Sequence, residues 1–184
     1  MQKEKCNHLL KQAPHIYQRK ILLRGRDTEH YYEQGGEIMR SFKGRVVVPG
    51  TCEAEALVSH GGFNTLASYQ SAMMFGDKEV KCGDQNNPDL YKKPMKGAAL
   101  CLPQTIGSTT GGMVLYVVCQ AGTQPACMLF SKQIDPLAAS GAILGDVWTE
   151  AKMPVIDRLG DEFLDYVKTG MKIKVFEDGT VEVE

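Results

Sequence analysis

No run of 18 apolar residues occurs in the 184-residue chain, which excludes a membrane-spanning helix. The first residues, MQKEKCNHLLKQ, lack the apolar segment that a secretory signal requires. The expectation is a cytoplasmic protein with no membrane partner. Six cysteines are present (Cys6, Cys52, Cys82, Cys101, Cys119 and Cys127), but they form no CxxC pair and no close cluster. Neither a disulfide framework nor a metal site follows from that spacing. Cys101, Cys119 and Cys127 sit among apolar neighbours, as small buried thiols do.

Other signatures are missing too. There is no GxGxxG and no Gly-Lys-Ser/Thr ending of a phosphate-binding loop. No two carboxylates stand out as an acid–base pair, and His8, His15 and His30 lack ligand spacing. The sole tryptophan is Trp148, for which packing or an interface is sufficient reason. Net charge is only −1, unevenly spread: residues 1–26 carry seven Lys or Arg against Glu4, and residues 161–184 carry seven acids against three lysines. The basic end has no glycine or aromatic interleaving, so a solvated tail or subunit contact is expected rather than nucleic acid.

What is present is a composition able to build a core, 43% apolar and 23% charged. Residues 1–41 read as an N-terminal extension with one short helix, and residues 42–184 as the compact domain. Arg45–Val48 is a β-branched strand ended by Pro49–Gly50, and Glu55–Ser59 a second strand broken by His60–Gly61–Gly62. Residues 70–97 read as a long polar loop rich in Asn, Asp, Gly and Pro.

The middle is the most informative part. Ala98–Leu102 predicts an apolar strand, QTIGSTTGG a small-residue loop, Met113–Gln120 a helix and Ala126–Phe130 another apolar strand. That is a βαβ unit, and strands without polar alternation suit a parallel sheet covered by helices on both faces. Asp135 before Pro136 fits a helix N-cap, with Gly145 closing the helix. Met153–Asp157 is a strand, Asp161–Lys168 a short helix with Phe163, Leu164 and Val167 inward, and Asp178–Gly179 the turn of a C-terminal hairpin. The fold class is mixed α/β with a parallel central portion and an antiparallel hairpin.

A loop leaving a parallel strand and entering a helix is a favoured ligand position. Gly107, Gly111 and Gly112 allow close backbone approach, while Ser108, Thr109 and Thr110 add hydroxyls near the helix start. First-turn amides can hold a carboxylate or phosphate. Lys81, Lys92, Lys93, Lys96 and Arg158 are the cations that can assist. Ser108 has no activator among its sequence neighbours, so folding or another chain must supply one. His60, at a strand end before Gly61 and Gly62, is a candidate acid or base, with Asn64 and Ser59 beside it. The competing reading makes it an ordinary loop histidine. The 59–64 and 104–112 loops are expected to lie together at one end of the sheet.

The ordered stretches FKGRVVVPGTCEAEALVS, NPDLYKKPMKGAALCLPQTIGSTTGG, GTQPACMLFSKQIDPLAASGAILGD, MPVID and TGMKIKVFEDGTVEV resemble the small subunit, or swivel domain, of the aconitase X family. The resemblance covers roughly residues 42–184. It implies a swivelling β/β/α fold and one half of a hydro-lyase that dehydrates a small hydroxy acid. It further implies an aconitase X-like large subunit as partner, which carries an iron–sulfur cluster or metal, with none bound by this chain. Ser108 and His60 become the catalytic candidates, and Gly107, Thr109, Thr110, Gly61, Gly62 and Asn64 the substrate-binding ones. Where relatives commonly read Gly-Arg-Gly-Ser, this chain has Thr105–Ile106–Gly107–Ser108, and Gly112 replaces a later serine. A different acid substrate follows, with His60 or a lysine in place of the arginine. The alternative is a catalytically altered module that binds an acidic metabolite or serves as a scaffold.

Overall fold

The computed structural model describes residues 20–22, 30–34 and 37–184, with side chains from Met39 onward. The chain divides into two units, Met1–Arg40 and Ser41–Glu184. In the first, β1 (Lys20–Leu22) pairs antiparallel with β2 (His30–Gln34), Lys20 opposite Glu33. The short helix expected in this extension lies outside the described residues. Strand β3 (Glu37–Lys43) carries the chain into the second unit.

That unit is built on β4 (Arg45–Val48), β5 (Cys52–Val58), β7 (Ala99–Leu102), β9 (Cys127–Phe130), β10 (Val155–Asp157), β11 (Lys172–Val175) and β12 (Thr180–Val183). Their order across the sheet is β12-β11-β5-β7-β9-β10-β4. The sheet changes character along β5. Its first half, Cys52–Glu55, pairs antiparallel with β11, and its second half, Ala56–Val58, pairs parallel with β7. Strands β5, β7, β9 and β10 are mutually parallel. Their carboxyl ends therefore point the same way, and the loops that leave them share one edge.

Every residue of β7, β9 and β10 is buried, which explains their unbroken apolar runs. One face packs under α1 (Thr65–Phe75), α2 (Gly111–Gln120) and α3 (Pro136–Trp148) through Leu100, Leu102, Met128 and Phe130. Each such side chain contributes roughly 1.5–3 kcal/mol on leaving water. The other face is covered differently from expectation. Ala99, Cys101, Cys127 and Leu129 face β11, β12 and the short α4 (Asp161–Tyr166), whose Phe163 and Leu164 are buried, as is Val167 just beyond. Helices thus dominate one face only; a β layer closes much of the other.

Three local expectations need correction. Residues 65–75, partly assigned to a loop, form α1, capped by Asn64, whose Oδ1 accepts from the Ala67 amide at 3.1 Å. The loop proper is shorter and anchored by buried Val80, Cys82, Leu90 and Met95. Gly145 does not end α3; it packs against Cys119 of α2, where a Cβ would come within 2.8 Å of the sulfur, and the helix runs on to Trp148. The buried stripe of α3 is Ala138, Gly141, Ala142 and Gly145, small residues at helical spacing that let the two helices meet backbone to backbone.

Candidate functional site

The loop after β7 holds a two-residue strand, β8 (Thr105–Ile106), which pairs parallel with β6 (Phe63–Asn64). Asn64 stands opposite Ile106, and the Phe63 amide donates to the Gln104 carbonyl at 2.9 Å. The two loops expected to converge at the carboxyl edge do converge. Their contact is close: a Cβ on Gly107, whose φ is +102°, would lie 2.9 Å from Asn64 Cγ. Only glycine suits both that backbone angle and that proximity.

A cleft of about 440 Å³ opens beside this pairing, lined by Thr65, Thr105, Ile106, Gly107, Ser108, Gly111 and the Asp135–Leu137 entrance to α3. Ser108 is exposed in it. Its Oγ lies 2.8 Å from Thr110 Oγ1 and accepts from the Thr110 amide at 3.2 Å. No side chain caps α2, which begins at once after Thr110, so this helix end retains the amides that a cap would occupy. The opposite wall is held by hydrogen bonds. Asp135 Oδ1 accepts from the amides of Leu137 and Ala138 at 2.8 and 3.0 Å, and Thr105 Oγ1 donates to Asp135 Oδ2. Below it, the Ile134 amide donates to buried Asp157 at 3.1 Å. Arg45 grips the same carboxylate through Nε at 2.8 Å and Nη2 at 2.6 Å.

The other candidate residues fall into three groups. Gly107 lines the cleft, and Thr110 stands behind Ser108. Thr109 is exposed on the loop but not on the cleft wall, while Gly62 is set against Ile106, where a Cβ would meet Cγ2 at 2.7 Å. Asn64 is occupied as the α1 cap. His60 goes elsewhere: its amide donates to Asp89 at 2.8 Å, its Nδ1 lies 3.6 Å from the same carboxylate, and it lines a separate depression with Lys93, Asp165 and Lys168. Gly61 is exposed near the buried Ser59–Asn87 pair, in which Asn87 Nδ2 donates to Ser59 Oγ at 2.9 Å.

The cationic helpers are not in the cleft. Lys81 pairs with Glu79, Lys92 stands over the Tyr91 ring, Arg158 donates to Gln133, and Lys93 and Lys96 line another surface. The described residues therefore line the cleft with hydroxyls, one engaged carboxylate and the apolar Ile106, Pro136 and Leu137. That donor set does not make a metal site, and among the described residues no three His, Cys, Asp or Glu side chains come together to form one. Thr65, Thr105, Pro136 and Leu137 line the cleft without having been site candidates; the Asp135–Pro136 cap is the one sequence signal that points to the α3 entrance.

Parallel central strands with helices over one face and a β layer closing much of the other have the layering of a swivelling β/β/α domain. Residues 41–183 match the aconitase X swivel domain, and the chain belongs to that family. It is 27% identical over 147 residues to the phosphomevalonate dehydratase small subunit of Aeropyrum pernix, covering 80% of this chain and 95% of the relative. It is 31% identical over 141 residues to the subunit of the same name from Methanocaldococcus jannaschii, covering 77% and 93%. Among solved structures, Thermococcus kodakaraensis aconitase X in its holo-form superposes with a TM-score of 0.64 at 27% identity, over 78% of this chain and 98% of that one. The solution structure of a UPF0107 protein gives 0.63 at 26% identity, with the same coverage. No helix among the described residues is long and apolar enough to cross a membrane.

Proposed function

We propose that this chain is the small subunit of a two-subunit, aconitase X-type hydro-lyase, and that it supplies Ser108 to the dehydration of a small hydroxy acid. The observation that carries the reading is an exposed serine hydroxyl at the carboxyl edge of the parallel strands, in a domain of this family, within a cleft that lacks half of what dehydration needs. The relatives named phosphomevalonate dehydratase small subunits favour a phosphorylated hydroxy acid.

Losing water from such an acid means removing a proton beside the carboxylate and expelling hydroxide. Ser108 takes the proton as an alkoxide. The Thr110 amide, and the Thr110 hydroxyl when it donates, point hydrogen bonds at the charged oxygen; such bonds to a charged group are worth about 1.5–3 kcal/mol each. They are insufficient to keep a serine ionised, so the large subunit must bring positive charge to it. An iron–sulfur cluster or metal, if the complex uses one, would be held by that subunit and would supply Lewis-acid assistance to hydroxide departure. Among the described residues no cation lines the cleft, so the substrate's anionic groups are held mainly from across the interface.

The test is reconstitution. The purified chain and the aconitase X-like large subunit of the same organism are each assayed alone and then together against a panel of hydroxy acids, phosphorylated ones included. Water loss only in the mixture is the expected result. Turnover by the large subunit alone at the same rate removes the proposed role, and anion binding by this chain without any turnover in the mixture favours a metabolite-binding module.

A further inference from the structure

The helical layer that flanks the cleft is almost uncharged. Helix α1 has 11 residues and α2 has 10, with no charged side chain between them, and the 13 residues of α3 include only Asp146, paired with Lys152 at 3.0 Å. In a chain that is 23% charged, the solvent face of such helices should be its most charged surface. Instead, the outward positions are Met113 and Val117 on α2 and Leu144, Val147 and Trp148 on α3, with Val147 65% and Trp148 68% exposed. Trp148 meets Tyr116 edge-on at 6.2 Å, which joins the two helices into one apolar face. Contiguous surfaces of this kind mark partner sites, and aromatic and methionine side chains are enriched in their centres.

The position of the face selects its occupant. Both helices begin at the cleft, whose wall includes Ile106 and Leu137, themselves about half exposed. From Leu137 the apolar surface follows α3 to Trp148, roughly 17 Å at 1.5 Å per residue, interrupted by no free charge. A second copy of this chain seated there would cover the cleft's rim and shut out whatever completes it. A protein that completes the cleft, in contrast, reaches the helices by continuing over Leu137. We infer that the outer face of α2 and α3 is the docking surface for the large subunit, which meets it with an uncharged, apolar patch and takes Trp148 as an anchor. This inference rests on the two-subunit reading above.

Val147 and Trp148 lie at the far end of α3 from Ser108, so changing them leaves the cleft as it is. Affinity for the large subunit is measured by titration calorimetry for the wild type, Val147→Glu and Trp148→Ala, with thermal unfolding as the control for folding. Each variant is expected to melt like the wild type and to bind at least about tenfold more weakly, as loss of an interface anchor does. Wild-type affinity in both variants, in a complex that still dehydrates its substrate, overturns the docking surface and leaves the two-subunit reading standing. A wild-type chain that does not bind the large subunit at all overturns both. A chain that is dimeric by itself and becomes monomeric as Val147→Glu assigns the face to self-association, and also overturns the inference.

Discussion

Gly112 of α2 and Gly141 of α3 touch through their backbones: a Cβ built on Gly141 would lie 1.9 Å from the Gly112 carbonyl oxygen, and one on Gly112 would lie 2.2 Å from the Leu137 carbonyl oxygen. This contact fixes the entrance of α2, and with it the serine loop, against the wall that begins at Asp135. It also gives a physical reason for glycine at position 112. Gly141→Ala and Gly112→Ser should each cost about 1–3 kcal/mol from overpacking, even after the better helix propensity of the new residue. Urea unfolding measures this; an unchanged midpoint would mean that the helices can separate freely.

Asp135 holds the other wall by accepting from two amides and from Thr105. Asp135→Ala should destabilise the protein by about 0.5–2 kcal/mol through loss of the cap, whereas Asp135→Asn, which can still cap, should lose much less. Thermal unfolding of the pair separates capping from any other role of the carboxylate.

Arg45 is the main counter-charge of Asp157, which is fully buried beneath the α3 entrance. Arg45→Ala removes two of the hydrogen bonds to that carboxylate and leaves it the one from the Ile134 amide. A cost of about 1.5–3 kcal/mol follows, below the ~3–5 kcal/mol of a fully buried pair because Arg45 itself is 46% exposed and its place can fill with water. Denaturant titration of the variant against wild type reads it.

The C-terminal hairpin should be acid-labile in a defined window. Lys43, hydrogen-bonded to Asp178 at 2.6 Å, together with Thr180, holds the Asp178 carboxyl down to about 2 from an ordinary 3.8. A depressed carboxyl favours the folded state above its unfolded pKa, and that contribution fades as pH falls from about 4 towards 2. Lys43→Ala should therefore lose stability relative to wild type at neutral pH, and the two stability curves should converge near pH 2.

Among the described cysteines, reactivity should be graded by environment. Burial pushes the Cys119 thiol up to about 11 and raises Cys101 and Cys82 as well. A hydrogen bond from Cys127 lowers Cys52, which is also partly exposed. Since the thiolate is the reacting species, limited alkylation at pH 8 followed by peptide mapping should label Cys52 before the other four. Earlier labelling of Cys101 would show that the sheet opens.

Much of this architecture was legible in the amino-acid order because single residues announce it. Asp135–Pro136 marks the start of α3, Asp178–Gly179 the hairpin turn, and ALCL and CMLF the buried parallel strands. Helix α1 was not legible. TLASYQSAMMF has no charged face to contrast with its buried Ser68, Tyr69 and Ala72, so no period emerges, and its cap, Asn64, looked like a ligand. The outward setting of Ser108 could be anticipated from the strand–loop–helix order. The partners of that loop could not, because Thr65 and Leu137 reach it from distant segments. The setting of His60 could not be anticipated for a similar reason: Asp89, which it meets, lies in a loop whose return path no local pattern encodes.

The most direct measurement is turnover by the reconstituted complex in which Ser108 has been changed to alanine. The account predicts that Ser108→Ala assembles with the large subunit at wild-type affinity and loses water elimination by at least the roughly 10²-fold associated with a general base. A complex of that variant that dehydrates its substrate at the wild-type rate would contradict it.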